Sequence, residues 1–107
     1  MMTAEMIQMH ENAGFKRWTK GNFDRLYIDA ATLGLCVSRY NTGNISYATF
    51  QGKKISNSLA RDILASKVFV DVSNGELNTR GACYTMQVAA EEFYESFMEA
   101  AHEKINA

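Results

Sequence analysis

Three short turns rich in Gly and Asn constrain the fold of this chain more than any other feature. The sequence contains no proline, so its turns depend on residues that tolerate unusual backbone angles. Gly21-Asn22, Thr42-Gly43 and Asn74-Gly75 each separate two segments of strand-like composition. Gly at the first position suits a type II′ turn at Gly21-Asn22. The pattern predicts three β-hairpins, of which the third has a short return strand at residues 76–79.

Three other segments have the periodicity of helices. Residues 3–13 begin at a Thr3 cap and end at Gly14, and a second helix begins at a Ser56 cap. A long helix is expected from about Thr85 to the end of the chain, with these residues near one face: Met86, Ala90, Phe93, Phe97, Ala101 and Ile105. The predicted fold class is α+β, with a mostly antiparallel sheet of five or six strands packed by a short N-terminal helix, a middle helix and a long C-terminal helix.

The composition indicates one domain over residues 1–107. Apolar residues make up 47% of the chain, which is enough for a hydrophobic core. No apolar run approaches the roughly 18 residues of a membrane helix, and the acidic N-terminus does not resemble a signal peptide. Cys36 and Cys83 lack metal or redox spacing, so we interpret them as reduced thiols in the core of a cytoplasmic protein.

The turn at Gly21-Asn22 also fixes the register of the first hairpin, because strand pairing proceeds outward from the loop. Phe15, Leu26 and Ile28 then lie on the core side. The opposite side, here called the basic-aromatic face, is formed by Lys16, Trp18, Lys20, Phe23, Arg25 and Tyr27.

A sheet face of this composition is typical of proteins that bind single-stranded nucleic acid, because rings stack on bases while cations neutralise phosphates. In the second hairpin the predicted core side is Leu35, Val37, Ala48 and Phe50. The predicted outer side is Cys36, Ser38, Tyr40, Ile45, Tyr47 and Thr49. The predicted nucleic-acid-binding residues are Lys16, Trp18, Lys20, Arg25, Tyr27, Tyr40 and Tyr47. The alternative is that Trp18–Arg25 and Lys16–Tyr27 are cation–π pairs that only stabilise the sheet.

A second charged feature lies on the C-terminal helix. Four carboxylates at a spacing of four residues share one edge of it, here called the acidic edge: Glu91, Glu95, Glu99 and Glu103. Like charges at this spacing are mildly unfavourable. The edge is a solvated surface, a partner for the basic residues of its own chain, or a local imitation of phosphates that binds a basic groove on another protein. Tyr94 and Met98 widen the apolar side of the same helix, which favours burial within the monomer or a homodimer seam.

The sequence contains no motif for catalysis, a metal or a cofactor. His10 and His102 stand apart from any set of metal ligands, and Asp24 and Asp29 do not form a credible acid/base pair. Phosphate-binding glycine motifs are absent. We therefore expect a binding module that is not an enzyme, has no cofactor and does not insert into membranes.

Three segments carry a resemblance to known proteins: GFKRWTKGNFDRLYI, YNTGNIS and GKKISNSLAR. Their succession within residues 14–66 resembles small uncharacterised proteins of phages and mobile elements of gut Firmicutes. The resemblance implies an accessory protein that binds nucleic acid or blocks a host defence system, for example as an anti-CRISPR protein. Nucleic-acid binding is the leading hypothesis. An inhibitor that binds a host defence protein through the acidic edge is the second hypothesis, and a structural or oligomeric protein without a ligand is the third.

Overall fold

The computed structural model describes the backbone of residues 1–75, 77–78 and 84–106, and the side chains of residues 1–75 and 93–106. The elements follow in the order α1 (Ala4–Asn12), β1 (Lys16–Lys20), β2 (Phe23–Asp29), a 3₁₀ turn (Ala30–Leu33), β3 (Leu35–Arg39), β4 (Ile45–Phe50), β5 (Lys53–Ile55), α2 (Asn57–Leu64), β6 (Lys67–Asp71), β7 (Leu77–Asn78) and α3 (Tyr84–Asn106). The fold class is therefore α+β, as predicted.

The described strands form two sheets, where the sequence predicted one. The first sheet has four strands in the order β1-β2-β6-β7, and the second has three in the order β3-β4-β5. All pairs are antiparallel. The chain leaves the first sheet through the 3₁₀ turn and Gly34, whose φ is 133°. Because β6 occupies the edge of β2, with Leu26 opposite Val70, the second hairpin does not pair with β2 and forms its own sheet with β5.

The register of the first hairpin is the one predicted from its turn. Trp18 lies opposite Arg25, and the pairs on either side follow: Lys20 opposite Phe23 and Lys16 opposite Tyr27. Gly21 has a φ of 59°, and Asn22 is not among the residues with positive φ. This combination defines a type II′ turn.

The third hairpin is also present, with Val70 opposite Leu77. Residues 76 and 79 of the predicted return strand lie outside the described residues.

The second hairpin departs from its predicted register near the turn. Ser38 lies opposite Tyr47, but Arg39 lies opposite Ile45, so Ser46 is an extra residue in a β-bulge. A bulge reverses which residues face inward beyond it. Ile45 is therefore buried in the core, and its predicted place on the outer face is wrong.

Both predicted N-caps are confirmed. The Thr3 hydroxyl accepts a hydrogen bond from the Met6 backbone N–H at 3.2 Å, and the Ser56 hydroxyl accepts one from the Leu59 N–H at 3.1 Å. These bonds satisfy backbone donors that the first turn of a helix leaves open. The Asn57 side chain donates to the Ile45 carbonyl at 2.9 Å, which ties the start of α2 to the second sheet.

The helix α3 supplies the aromatic centre of the core. It is kinked at Phe93, whose φ and ψ are −118° and 19°. The Phe50 ring meets the rings of Phe93 and Phe97 edge-on, at centroid distances of 5.0 and 5.5 Å. Phe97 and Ala101 are fully buried, as the helix periodicity predicted, and Tyr94 is exposed. The side chains of Met86 and Ala90, also predicted to face inward, lie outside the described residues.

The core lies between the first sheet and the helices. Its central residues from the first sheet are Leu26, Ile28, Val68 and Val70. Ile63 of α2 and Phe97 of α3 join the same cluster, while a smaller cluster joins α2 to the second sheet.

Cys36 is exposed, which confirms its predicted place on the outer side of the second hairpin and shows that its interpretation as a core thiol is wrong, because alternation along β3 turns it away from the core. Cys83 lies outside the described residues.

Candidate nucleic-acid interface

The helix α3 covers the side of the first sheet that lies opposite the basic-aromatic face. Phe97 and Ala101 pack in one cluster with Leu26 and Val70, which point to the inner side of the sheet. Side chains alternate between the two sides of a strand. The basic-aromatic face is therefore the outer face of the first sheet, and among the described residues no helix covers it.

Arg25 occupies the middle of this face and is surrounded by rings. Its guanidinium carbon lies 4.7 Å from the ring centroid of Phe23, 5.9 Å from that of Trp18 and 5.8 Å from that of Phe69. Its Nε is buried and has no hydrogen-bond partner among the described residues. The predicted Trp18–Arg25 cation–π pair is thus present, as one part of a larger cage.

The second predicted cation–π pair has a different cation. The ammonium group of Lys67 lies 5.2 Å from the Tyr27 centroid, whereas the prediction assigned Lys16 to this ring. Lys67 also forms an ion pair with Asp29 at 2.7 Å. The neighbouring strand β6 brings both contacts, because Asp29 lies opposite Lys67 in the register.

Phe69 connects the two halves of the ring cluster. Its centroid lies 6.5 Å from that of Trp18 and 6.3 Å from that of Tyr27. Phe69 and Lys67 are absent from the predicted site. Alternation within KVFVDV could have predicted them. Val68 and Val70 face the core, so Lys67 and Phe69 face outward.

Two lysines at the β1 edge are exposed and available to a ligand. Lys16 and Lys20 flank the half-buried Trp18 along this edge strand. None of the ion pairs formed by described residues involves them, since those pairs are Arg17–Asp24 and Lys67–Asp29. Phe23, beside the turn, is 57% exposed and is the most accessible ring of the face.

Two carboxylates near the tip of the first hairpin are fixed by local hydrogen bonds: Asp71 lies opposite Arg25 on the basic-aromatic face, and Asp24 lies on the other side of β2 with Arg17. The Ser73 hydroxyl and backbone N–H donate to Asp71 Oδ1 at 2.8 and 3.1 Å. These bonds lower the pKa of Asp71, and the positive charge of Arg25 lowers it further. Both carboxylate oxygens of Asp24 accept hydrogen bonds of 2.6 Å from Arg17, which lower the pKa of Asp24.

Tyr40 and Tyr47 belong to the second sheet and do not continue the strands of the basic-aromatic face. Tyr40 lies in the turn between β3 and β4, and its backbone N–H donates to the Asn44 carbonyl at 2.8 Å. Tyr47 is on the outer side of β4, where the Lys54 ammonium lies 5.5 Å from its ring centroid. The sequence placed both tyrosines in one surface with Trp18 because it predicted a single sheet.

The acidic edge lies on α3, across the first sheet from the basic-aromatic face. Glu95, Glu99 and Glu103 are exposed, and they take part in none of the ion pairs of the described residues. The side chain of Glu91 lies outside the described residues. Of the three alternatives for the acidic edge, the one in which it faces the basic-aromatic face of its own chain is wrong, because α3 packs on the other side of the sheet.

His10 has a structural environment. Its Nδ1–H donates to the Met6 carbonyl at 2.7 Å, and its ring meets that of Phe15 edge-on at 5.4 Å. Within the part of the chain that the structure describes, no group of His, Cys, Asp and Glu side chains has the arrangement of a metal site. No helix in that part is both long and apolar enough to cross a membrane.

These features define a class of small α+β domain in which one sheet turns a cluster of rings and cations toward solvent. Comparisons with protein-family models, curated proteins and solved structures give no match to the chain. The functional argument therefore depends on the geometry of the site.

Proposed function

We propose that this chain is a non-enzymatic module that binds single-stranded nucleic acid on the outer face of its first sheet. The observation that carries the proposal is the placement of α3, which leaves the ring cluster and its cations open to solvent. In the form that the resemblance suggests, the module serves a phage or mobile element.

The ring cluster is suited to bases. Trp18, Phe23, Tyr27 and Phe69 surround Arg25 on one surface. Stacking on such rings contributes about 1–3 kcal/mol per base and tolerates any base, since every base has a π face. Antiparallel sheets with a comparable ring platform hold about two or three bases.

The charges indicate where the phosphates lie. Lys16 and Lys20 are exposed along the β1 edge, whereas Asp29 and Asp71 are on the β2 and β6 side of the cluster. A strand that keeps its phosphates near β1 gains attraction from the lysines and avoids repulsion by the carboxylates. We therefore infer that the backbone of the ligand follows β1 and that its bases point across the rings.

The structural role of Arg25 does not compete with this proposal. A cation within about 6 Å of a ring stabilises it by roughly 0.5–1 kcal/mol at an exposed site. Arg25 makes such contacts with three rings. The cage thus holds the rings in position, and the exposed lysines remain for the phosphates.

The experiment compares two charge reversals. Lys16→Glu/Lys20→Glu alters the proposed face, and Lys53→Glu/Lys54→Glu alters the exposed edge strand of the second sheet by the same net charge. Fluorescence anisotropy measures binding of short single-stranded and duplex DNA and RNA from about 50 to 200 mM salt. We expect wild-type protein to prefer single strands and to lose affinity as salt rises.

In the same experiment, Lys16→Glu/Lys20→Glu is expected to remove most of the binding. The slope of log affinity against log salt concentration is expected to decrease by about one for each lysine replaced. The control pair retains wild-type affinity. Equal losses in the two variants would contradict the proposed face, and an absence of binding by wild-type protein at low salt would overturn the function itself.

The acidic edge remains a prediction as a surface that binds a host defence protein. Its exposed carboxylates are compatible with that hypothesis. The third hypothesis, a structural or oligomeric protein without a ligand, also remains a prediction. Neither is favoured by a contact among the described residues.

A further inference from the structure

A cleft lies at the end of the first sheet, where the tip of the first hairpin meets the turn that follows β6. Its volume is about 410 Å³, and its lining includes Asn22, Phe23, Asp24, Asp71 and Ser73. Phe23 and Asp71 also belong to the outer face of the sheet. The cleft is therefore continuous with the proposed interface. We call it the hairpin-tip cleft.

The hairpin-tip cleft has one exposed ring at its rim. The Arg25 guanidinium lies over the Phe23 ring at 4.7 Å, while 57% of the Phe23 surface remains exposed. An exposed ring beside a cleft is a stacking position for a planar group.

The hairpin-tip cleft carries two carboxylates. Asp24 and Asp71 both line it, together with Met1, and local hydrogen bonds lower the pKa of each carboxyl group. Arg17 pairs with Asp24, so Asp71 is the carboxylate that disfavours a nearby phosphate. When the phosphates of a bound nucleic acid lie along β1, its bases point across the sheet. A base at the cleft then presents its polar edge to the residues that line the cleft.

Asp71 supplies a carboxylate oxygen that can accept hydrogen bonds from the polar edge of a base. Both hydrogen bonds from Ser73 end on Oδ1, so neither of them occupies Oδ2. By contrast, Arg17 occupies both oxygens of Asp24. A carboxylate only accepts hydrogen bonds, so Asp71 selects for N–H donors on the base.

We propose that the hairpin-tip cleft reads a base and prefers guanine, with Phe23 stacked on the ring and Oδ2 of Asp71 accepting from both the N1–H and the 2-amino group. This inference rests on the proposed function. Guanine presents these two donors side by side on its Watson–Crick edge, while adenine and cytosine present one amino group and uracil one imino group. A good pair of hydrogen bonds to a base discriminates by about tenfold or more.

The test uses short oligouridines that carry one central guanine, adenine, cytosine or hypoxanthine, together with their thymidine counterparts. Affinities are measured by fluorescence anisotropy at low salt. We expect the guanine oligonucleotide to bind about tenfold more tightly than the adenine and cytosine ones. Hypoxanthine lacks the 2-amino group and is expected to fall between them.

Asp71→Asn is the diagnostic variant, because the Asn side-chain oxygen can still accept from Ser73 and preserve the turn. It is expected to lose the preference for guanine. Because the substitution also removes a negative charge near the ligand, the affinity for every oligonucleotide is expected to rise slightly, and Asp29→Asn is expected to share that common rise. Asp29→Asn removes a carboxylate on the same face and outside the cleft, so it is expected to retain the preference. Thermal unfolding of both variants checks that they fold.

The outcomes separate this inference from the proposed function. If all single strands bind equally well, the guanine pocket is refuted and the interface remains. If the preference for guanine persists in Asp71→Asn, Asp71 is not the reader and the inference fails. If no oligonucleotide binds, both the inference and the proposed function are overturned.

Discussion

The outer faces of the two sheets obey the same alternation of side chains, yet they differ sharply in composition. The first sheet presents Trp18, Phe23, Tyr27 and Phe69 around Arg25. The second presents mostly small or polar residues, which are Cys36, Ser38, Tyr47, Thr49 and Lys54.

A solvated face of an antiparallel sheet ordinarily resembles the second of these two. The second sheet shows what the fold requires of an outer face, since its inner side packs against α2 without a cluster of rings on the outer side. The cluster on the first sheet exceeds that requirement. The contrast between the two faces therefore adds support to the proposal that the first face binds a ligand.

The largest expected effect is on the affinity for single-stranded nucleic acid, and it compares one exposed ring from each face. Phe23→Ala is expected to weaken binding of single strands by about 1–3 kcal/mol, because it removes a stacking surface. Tyr47→Ala is the matched control, since Tyr47 is 46% exposed on the second sheet and Phe23 is 57% exposed on the first. Anisotropy titrations measure both. Equal losses of affinity would show that the rings of the first sheet have no special role.

The next effect concerns stability and compares the two cation–ring arrangements. Among the described residues, Arg25 contacts three rings, whereas the Lys54 ammonium lies over one, that of Tyr47. Arg25→Ala is expected to lower the free energy of unfolding by about 1–2 kcal/mol, and Lys54→Ala by less than about 0.5 kcal/mol. Urea denaturation provides both values. A cost for Arg25→Ala as small as that for Lys54→Ala would mean that the cage adds nothing to the sheet.

The smallest effect appears in the dependence of stability on pH. Arg17 donates to the Asp24 carboxylate in the first sheet, and Arg39 donates to the Gly43 carbonyl in the second at 2.8 Å. The bond from Arg17 lowers the pKa of Asp24 in the folded state. Its contribution is therefore complete above the unfolded pKa of about 3.9 and is lost as the pH falls through the lower folded value.

Thermal unfolding of two variants tests this difference. Arg17→Gln is expected to lower Tm at pH 7, and its difference from wild-type protein is expected to disappear in acid. Arg39→Gln is expected to differ from wild-type protein by the same amount throughout, because a carbonyl does not titrate in this range. A constant difference for Arg17→Gln would contradict the role assigned to its bond with Asp24.

The local parts of the fold were predictable from the sequence. The Gly21-Asn22 turn determined the register of β1 and β2, and the hydroxyls of Thr3 and Ser56 marked two helix starts. Each of these features depends on residues that are close in the chain. The energies involved are therefore largely independent of the rest of the molecule.

The features that sequence reasoning missed depend on pairing between distant segments. The division into two sheets follows from the pairing of β2 with β6, which places Arg25 opposite Asp71. That same pairing brings Phe69 and Lys67 to the candidate site. The bulge that turns Ile45 inward is a third example, since no residue in YNTGNIS signals an extra residue in β4.

The candidate site was predicted in part for the same reason. Lys16, Trp18, Lys20, Arg25 and Tyr27 lie on one hairpin, so alternation and one turn sufficed to group them. Tyr40 and Tyr47 were grouped with them through an assumed contact between hairpins, and that contact does not exist in the two-sheet arrangement.

The position of β6 beside β2 has a consequence for the entropy that folding of the domain loses in loop closure. The two strands form a hairpin whose loop, residues 30–66, contains the whole second sheet and α2. Closing a loop of this length costs roughly 2 kcal/mol more than closing a loop of about four residues, because closure entropy grows only with the logarithm of length. The second sheet forms from neighbouring segments of its own and shortens the effective loop. The closure entropy of this long loop is thus small, and residues of the loop such as Phe50 and Ile63 offset it by packing in the same core as β2 and β6.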